Sequence, residues 1–364
     1  MKKKIYWLTI LLAFSNTVFA QTKPVVGDGT ENSPLEISTI DELRYFVGLV
    51  NGTLEGVDKD STACAILTTD LDLSGENGIE SWTPIGNQTY YSGCFDGKGH
   101  SISNIVVEGR NNNNLGTFGL CKSATIKNIE LINIQVNSGY KNSGGLAGYT
   151  CQSSFTNCKV SGTISASSYT GGILGRSVNC SVDNCHNSAT IKAYDETGGI
   201  IGFCEKTTIS NCSNSGNIPL CDQKGNEKGG IVGGMYDTSS VVSCYNTGKV
   251  SAHWCCGGIE GYSKSCKISK CYNTGDISGV SYIGGIGGSI DASDLSNCYN
   301  SGKISGSDTG AGGIAGETTS TKKVTSCYNI GEIKGKSYYN SIIGVSMSTE
   351  KKSCFFLSNC ESDY

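Results

Sequence analysis

Eight cysteines stand at one phase of the chain: Cys158, Cys185, Cys212, Cys244, Cys271, Cys298, Cys327 and Cys354. A recurring cysteine can bridge as a disulfide, hold a soft metal or, when buried, fill space as a small hydrophobe. Most steps are 27 residues, with one of 32 and one of 29. In the two turns that precede the series, Ile105 and Ile129 hold the same phase. A position that takes isoleucine and cysteine alike is an apolar interior position, so the column is expected to be mostly free, buried thiols. In-register stacking brings neighbouring Cα atoms within bridging range, but parallel Cβ vectors do not converge. Cys64 with Cys94, and Cys360 with a neighbour near the C-terminal end, are the better bridging candidates.

A second column follows the cysteines directly: Lys159, His186, Ser213, Tyr245, Tyr272, Tyr299 and Tyr328. Lysine, histidine and serine mark it as facing solvent, so the four tyrosines form an outer stripe. Tyrosine offers a flat apolar face with a polar tip, which suits a sugar ring or a protein partner, although cross-strand aromatic pairs also simply stabilise sheets. The variable segment before each Gly-Gly pair is the other candidate face, read as a surface loop. It carries Tyr169, Tyr194, the Leu220–Lys228 insertion, Trp254 and Tyr282.

Catalytic and metal constellations are thin. The histidines His100, His186 and His253 are too scattered for a His-Glu-x-x-His zinc site. His253-Trp254-Cys255-Cys256 lacks Cys-x-x-Cys spacing and reads as an insertion tip. Asp70, Asp72, Ser74 and Gly75 mimic half a calcium loop, but Ser81 stands where a bidentate Glu is needed, and alternating leucines explain the stretch as a strand. Arg176 has no evident acidic neighbours for polysaccharide chemistry. No catalytic residue, metal site or cofactor is expected.

The elements that position these side chains follow from the period. Each of the first seven cysteines comes 14 or 15 residues after a Gly-Gly pair, as Gly171-Gly172-Ile173 leads to Asn184-Cys185. A fixed period of this length marks a solenoid of stacked coils. Three short strands per coil are expected: Gly-Gly-Ile-x-Gly, a strand ending at the cysteine, and one around Gly-x-Ile. About ten coils at ~4.8 Å spacing give a rod of roughly 45–50 Å. Ile173, Ile200, Ile231 and Ile259 form one core column, and Ile164, Ile191, Ile218 and Val250 another. Asn187, Asn214, Asn246, Asn273, Asn300 and Asn329, two residues past each cysteine, read as a ladder at a left-handed turn. Its glycine partners (Gly162, Gly216, Gly248, Gly275, Gly302, Gly331) imply positive φ or close backbone approach.

Ahead of the coils, Ser38 and Thr39 with Asp41 and Glu42 form a capping-box pattern, and Ile40, Leu43, Val47 and Val50 follow at helical spacing to Asn51-Gly52. A helix over 39–51 is expected to cover the open end of the stack. Residues 1–20 read as a secretory signal peptide: three lysines, an apolar run, then Val18-Phe19-Ala20. An exported protein, extracellular, cell-surface or periplasmic, with no transmembrane segment, is expected. Without those lysines the net charge falls from -4 to about -7. An acidic chain with only Arg44, Arg110 and Arg176 lacks a nucleic-acid footprint. Three regions are expected: the signal peptide at 1–20, the cap and first coils at 21–114, and the repeats at 115–364.

The unit Gly284-Gly285-Ile286-Gly287-Gly288 with Asn297-Cys298-Tyr299-Asn300-Ser301-Gly302 resembles the GLUG-motif repeats of secreted bacterial proteins. The lead-in is also similar, through Gly27-Asp28-Gly29-Thr30, Trp82-Thr83-Pro84-Ile85-Gly86 and Phe95-Asp96-Gly97-Lys98-Gly99-His100. The resemblance implies an all-β, right-handed parallel β-helix solenoid displayed outside the cell. Such proteins, of a kind found in Bacteroidetes, are regarded as adhesins or surface modules and have no assigned catalytic residues. The expected function is non-enzymatic binding of a host or environmental glycan or protein through Tyr245, Tyr272, Tyr299, Tyr328 and Trp254. The alternatives are a carbohydrate-active β-helix enzyme or a structural spacer.

Overall fold

The computed structural model describes residues 21–74, 81–109, 112–221, 225–321, 323–347 and 349–357. The expected signal peptide, Gly75, Arg110 and Cys360 lie outside the described residues. The described chain is an all-β parallel solenoid with one helix. No helix among the described residues is long and apolar enough to cross a membrane.

Each full coil has four strands, not three. One coil runs through Ser168–Gly171, Leu174–Val178, Ser181–Asp183 and the pair His186–Asn187 and Thr190–Lys192. Stacking yields four sheets in chain order: sheet I with 10 strands, II with 9, III with 12 and IV with 13. Register advances by one period, pairing Gly171 with Gly198 and Leu174 with Ile201. The Gly-Gly-Ile segment, expected as one strand, is the corner between sheets I and II. A Cβ on Gly171 would run into the carbonyls of Leu174 and Ile200, so only glycine lets the chain turn this closely. Tyr169, Trp254 and Tyr282, expected on loops ahead of the pairs, lie instead in strands of sheet I, whereas Tyr194 and Leu220 lie outside the strands at its corner. His253-Trp254-Cys255-Cys256, expected at an insertion tip, lies within Val250–Gly257 of sheet I.

One hydrophobic core runs from Leu35 to Ile343 without a break. Ile173, Ile200, Ile231, Ile259 and the cysteines Cys158, Cys185, Cys212 and Cys244 are fully buried in it. The cysteine column is a stack of free thiols, and burial raises the Cys212 and Cys298 thiols well above the usual range. Cys64 and Cys94 form a disulfide between neighbouring levels, with Cα atoms 4.5 Å apart.

The asparagine ladder is buried and continuous. Asn187 donates its Nδ2–H to Oδ1 of Asn214 at 2.8 Å, and the same bond recurs from Asn214 to Asn246, Asn273, Asn300 and Asn329. Within each coil the amide also bonds the residue two positions on, Ala189 for Asn187 and a glycine in later coils, as Asn246 does with the N–H and carbonyl of Gly248. An internal asparagine thus uses both donors and both acceptor sites. The left-handed residue is not this asparagine. It precedes the cysteine, at Asn157, Asn184, Asn211, Ser243, Lys270, Asn297 and Ser326 with φ of 51–56°. Of the partner glycines, Gly162 has a positive φ of 130°, and the later ones answer close approach, since a Cβ on Gly248 would meet the carbonyl of Gly216.

The helix spans Ile40–Asn51, with Thr39 as N-cap, Glu42 completing the capping box, and left-handed Gly52 ending it. Its Phe46 packs on Tyr91 and Phe95 at 6.0 and 5.8 Å, and both of these rings meet Phe118. This aromatic plug closes the N-terminal end of the core.

Candidate ligand-binding site

The tyrosine column is in register, with Tyr245, Tyr272, Tyr299 and Tyr328 paired between neighbouring strands of sheet IV. The rings stack at 4.9, 5.0 and 5.0 Å with planes 1°, 6° and 5° from parallel. Each internal ring therefore has both faces covered by its neighbours. The flat platform expected for a sugar ring is used up within the stack, and what remains outward is a row of edges and hydroxyls. Trp254 is 48% exposed on sheet I, lies parallel to His253 and meets Tyr282 edge-on at 6.1 Å.

The structure assembles a second strip, along sheets I and II, that sequence reasoning largely missed. Five residues past the first glycine of each pair comes Tyr149, Arg176, Phe203, Gly234 and Tyr262, paired successively in sheet II. Two residues before that glycine comes Tyr169, Glu196, Glu227, Cys255 and Tyr282, all left-handed with φ of 40–60°. Positive φ on side chains this bulky is uncommon and breaks the in-out alternation of sheet I at each level. The columns meet: Tyr169 lies 4.9 Å from Phe203, Phe203 lies 5.1 Å from Tyr236, and Tyr236 lies 5.4 Å from Tyr262. The Phe203–Tyr236 pair is stacked at 29°, and the flanking pairs are tilted by 51° and 42°, so the series is less regular than the parallel stack.

Charges are built into the strip. The Arg176 guanidinium stands over Phe203 at 5.2 Å, Tyr149 at 5.8 Å and Tyr169 at 6.0 Å, and is paired with Glu205 at 3.1 Å. The expectation that Arg176 lacks acidic neighbours is corrected here. Glu205 is 29 residues downstream, and stacking brings it diagonally alongside. Two coils on from Arg176, Gly234 takes its place in the column. A Cβ there would sit 3.3 Å from Oε2 of Glu227 and 3.4 Å from ring carbons of Phe203 and Tyr236. The Glu227 carboxylate fills that space, and Oε2 has no hydrogen-bond partner among the described residues. Burial, then Asp195, pushes Glu227 up to about 7. Burial, then Glu227 and Asp195, pushes Glu196 to about 7 against an opposing pull from Lys141. Behind them Glu260 is fully buried, its carboxyl raised by burial and by Glu227, and Gly287 in the next coil leaves the room it occupies. Burial thus disfavours the charged form of Glu260.

No group of three or more His, Cys, Asp or Glu among the described residues is arranged to hold a metal. Asp72 and Asp70, the start of the apparent calcium loop, are engaged instead: Asp72 accepts from Asn104 at 2.6 Å and from Ser74, and Asp70 accepts the Ser101 N–H at 2.7 Å.

Residues 139–165 and 166–192 match the family described as the GLUG motif, one coil each. Over 162 residues, 41% of this chain, the sequence is 30% identical to halomucin from Haloquadratum walsbyi, and it spans 2% of that relative's length. A solved structure described as a "putative immunoglobulin A1 protease" from Bacteroides ovatus aligns over 91% of this chain and 86% of its own, at 19% identity and a TM-score of 0.46.

Proposed function

We propose that the protein is a non-enzymatic, exported rod that binds an extended glycan or protein ligand along the strip from Tyr149 to Tyr262. The observation that carries this reading is the ring series Tyr169, Phe203, Tyr236 and Tyr262, set beside Glu196 and Glu227 on one outer face. Aromatic rings with flanking polar groups suit a chain of sugar rings running parallel to the rod. The tyrosines from Tyr245 to Tyr328 then serve chiefly to stiffen sheet IV. The halomucin relative, mucin-like by name, supports an extracellular setting. A second reading, a protein ligand with basic side chains, is favoured by Arg176, because this strip already seats a guanidinium among rings.

Probing residues 21–364 and the double variant Phe203→Ala/Tyr236→Ala on a glycan and matrix-protein array tests the proposal. Saturable binding by the parent that the variant loses is expected. Binding that survives the variant, or none by the parent, overturns it. Release of new reducing or unsaturated ends from a polysaccharide panel would favour the enzyme alternative.

A further inference from the structure

A cleft of about 600 Å³ opens at the corner between sheets IV and I, away from the aromatic strip. Its origin is legible in the corner residues of successive coils. Two levels carry only small residues there, Ser138-Gly139 and Ser165-Ala166-Ser167, while the next two carry Lys192-Ala193-Tyr194 and Pro219-Leu220-Cys221. The small corners form a floor, and the larger ones stand over it as a wall. Tyr194 and Leu220 are 42% and 40% exposed, large for apolar groups on a surface otherwise tightly folded.

The wall is held from inside. Lys228 is fully buried in the inward column of sheet I, between Thr197 and Cys256. It reaches the corner and donates from Nζ to the Pro219 carbonyl at 2.9 Å. Gly225 covers it, and a Cβ there would stand 2.9 Å from Lys228 Cε. Burying a lysine amine against the Pro219 carbonyl costs stability, and what it secures is the position of Pro219-Leu220-Cys221. Such preorganisation benefits a binding wall.

We propose that this cleft is a subsite for an acidic sugar unit, a pyranose carrying a carboxylate. The apolar wall of Tyr194 and Leu220 suits one face of the ring, and the hydroxyls of Ser165 and Ser167 suit its polar edge. Lys192 is the one charged residue among the described residues lining the cleft, and its exposed ammonium is the partner offered to the carboxylate. The subsite is independent of the Tyr149–Tyr262 strip, and each can fail without the other.

The test is titration of residues 21–364, by calorimetry or saturation-transfer NMR, with a hexuronate disaccharide and with its neutral hexose counterpart. Saturable binding with at least fivefold preference for the uronate is expected. Lys192→Gln should abolish that preference, Tyr194→Ala should weaken both sugars about tenfold, and Lys228→Met should weaken both while the circular dichroism spectrum is retained. The titrations are repeated in the Phe203→Ala/Tyr236→Ala background, so that sugar bound along the strip is removed and the uronate preference is read at the cleft alone. No saturable binding, equal binding of the two sugars, or indifference to Tyr194→Ala overturns the proposal. If Lys228→Met fails to fold, Lys192→Gln and Tyr194→Ala, both on exposed side chains, still decide it.

Discussion

The amide of Asn246 occupies the volume that a Cβ on Gly230 would need. The same pairing joins Gly172 to Asn187, Gly199 to Asn214, Gly258 to Asn273 and Gly285 to Asn300. The second glycine of each pair and the ladder asparagine are thus one interaction seen at two sequence positions. Gly230→Ala is expected to cost ~1–3 kcal/mol by overpacking. Asn246→Ala should cost about 3 kcal/mol or more, because it strands groups on Asn214, Asn273 and Gly248. In the double variant the alanine at 230 is freed from the Asn246 amide but still meets the Gly258 carbonyl. The two costs should therefore fall short of additive only by the part due to the amide. Urea denaturation of the four proteins measures this.

Stability should fall from mildly acidic to neutral pH. Glu196 and Glu227 sit at about 7 in the fold against ~4.3 unfolded. Their contribution is fully present below about 4.3 and is lost as pH rises through 7. Asp72, held at about 2 by Asn104 and Ser74, acts oppositely and loses its contribution as pH falls below about 4. The melting temperature is expected to drop by several degrees between pH 5 and 8, and Glu227→Gln should flatten that slope. A slope unchanged in Glu227→Gln would contradict the assignment.

Thiol labelling should divide the cysteines sharply. Cys151, Cys221, Cys255 and Cys354 are half-buried, and the other free cysteines among the described residues are buried. Native alkylation followed by mass spectrometry is expected to modify only members of the first group, with the column from Cys158 to Cys327 reacting after unfolding. Reduction of Cys64–Cys94 should lower stability by about 2–4 kcal/mol, read as a reductant-dependent melting temperature.

Replacing Tyr272 and Tyr299 with alanine should act on stability rather than on recognition. Cross-strand aromatic pairs contribute ~0.2–1 kcal/mol each, and the three stacked contacts of the column all involve one of these two rings. A lower melting temperature with array binding changed less than twofold is expected. Loss of binding without loss of stability would return the ligand to this column.

The solenoid, the core columns and the helix were legible in the sequence because each repeats at fixed phase or carries a local capping signal. Ile105 and Ile129 alone sufficed to place the cysteines inside. The strip was not legible, for two physical reasons. Its left-handed residues, such as Tyr169 and Glu227, interrupt the in-out alternation that identifies a strand, so sheet I looked like variable loop. Its contacts also join neighbouring coils: Arg176 meets Glu205 across 29 residues, and Phe203 meets Tyr236 across a coil enlarged by five. Aligning the column five residues past each glycine would have exposed Tyr149, Arg176, Phe203 and Tyr262 together. The fourth strand escaped because Gly-Gly-Ile reads as extended chain until the approach of the Leu174 carbonyl shows it to be a corner.

Asn214 and Asn246 are separated by 32 residues and bond at 2.8 Å, the same distance as Asn246 and Asn273 across 27. Four of the five additional residues fall between Ile218 and Asn226, at the corner between sheets IV and I, the fifth falls between Tyr236 and Ser240, and the ladder does not register them. The coil thus has a constant segment and a variable one. Whole coils can be duplicated, and loops of new length can be spliced in at that corner, without disturbing the frame. Evolution, or an engineer, can vary the chemistry of one edge of this rod as freely as a binding loop on an antibody scaffold.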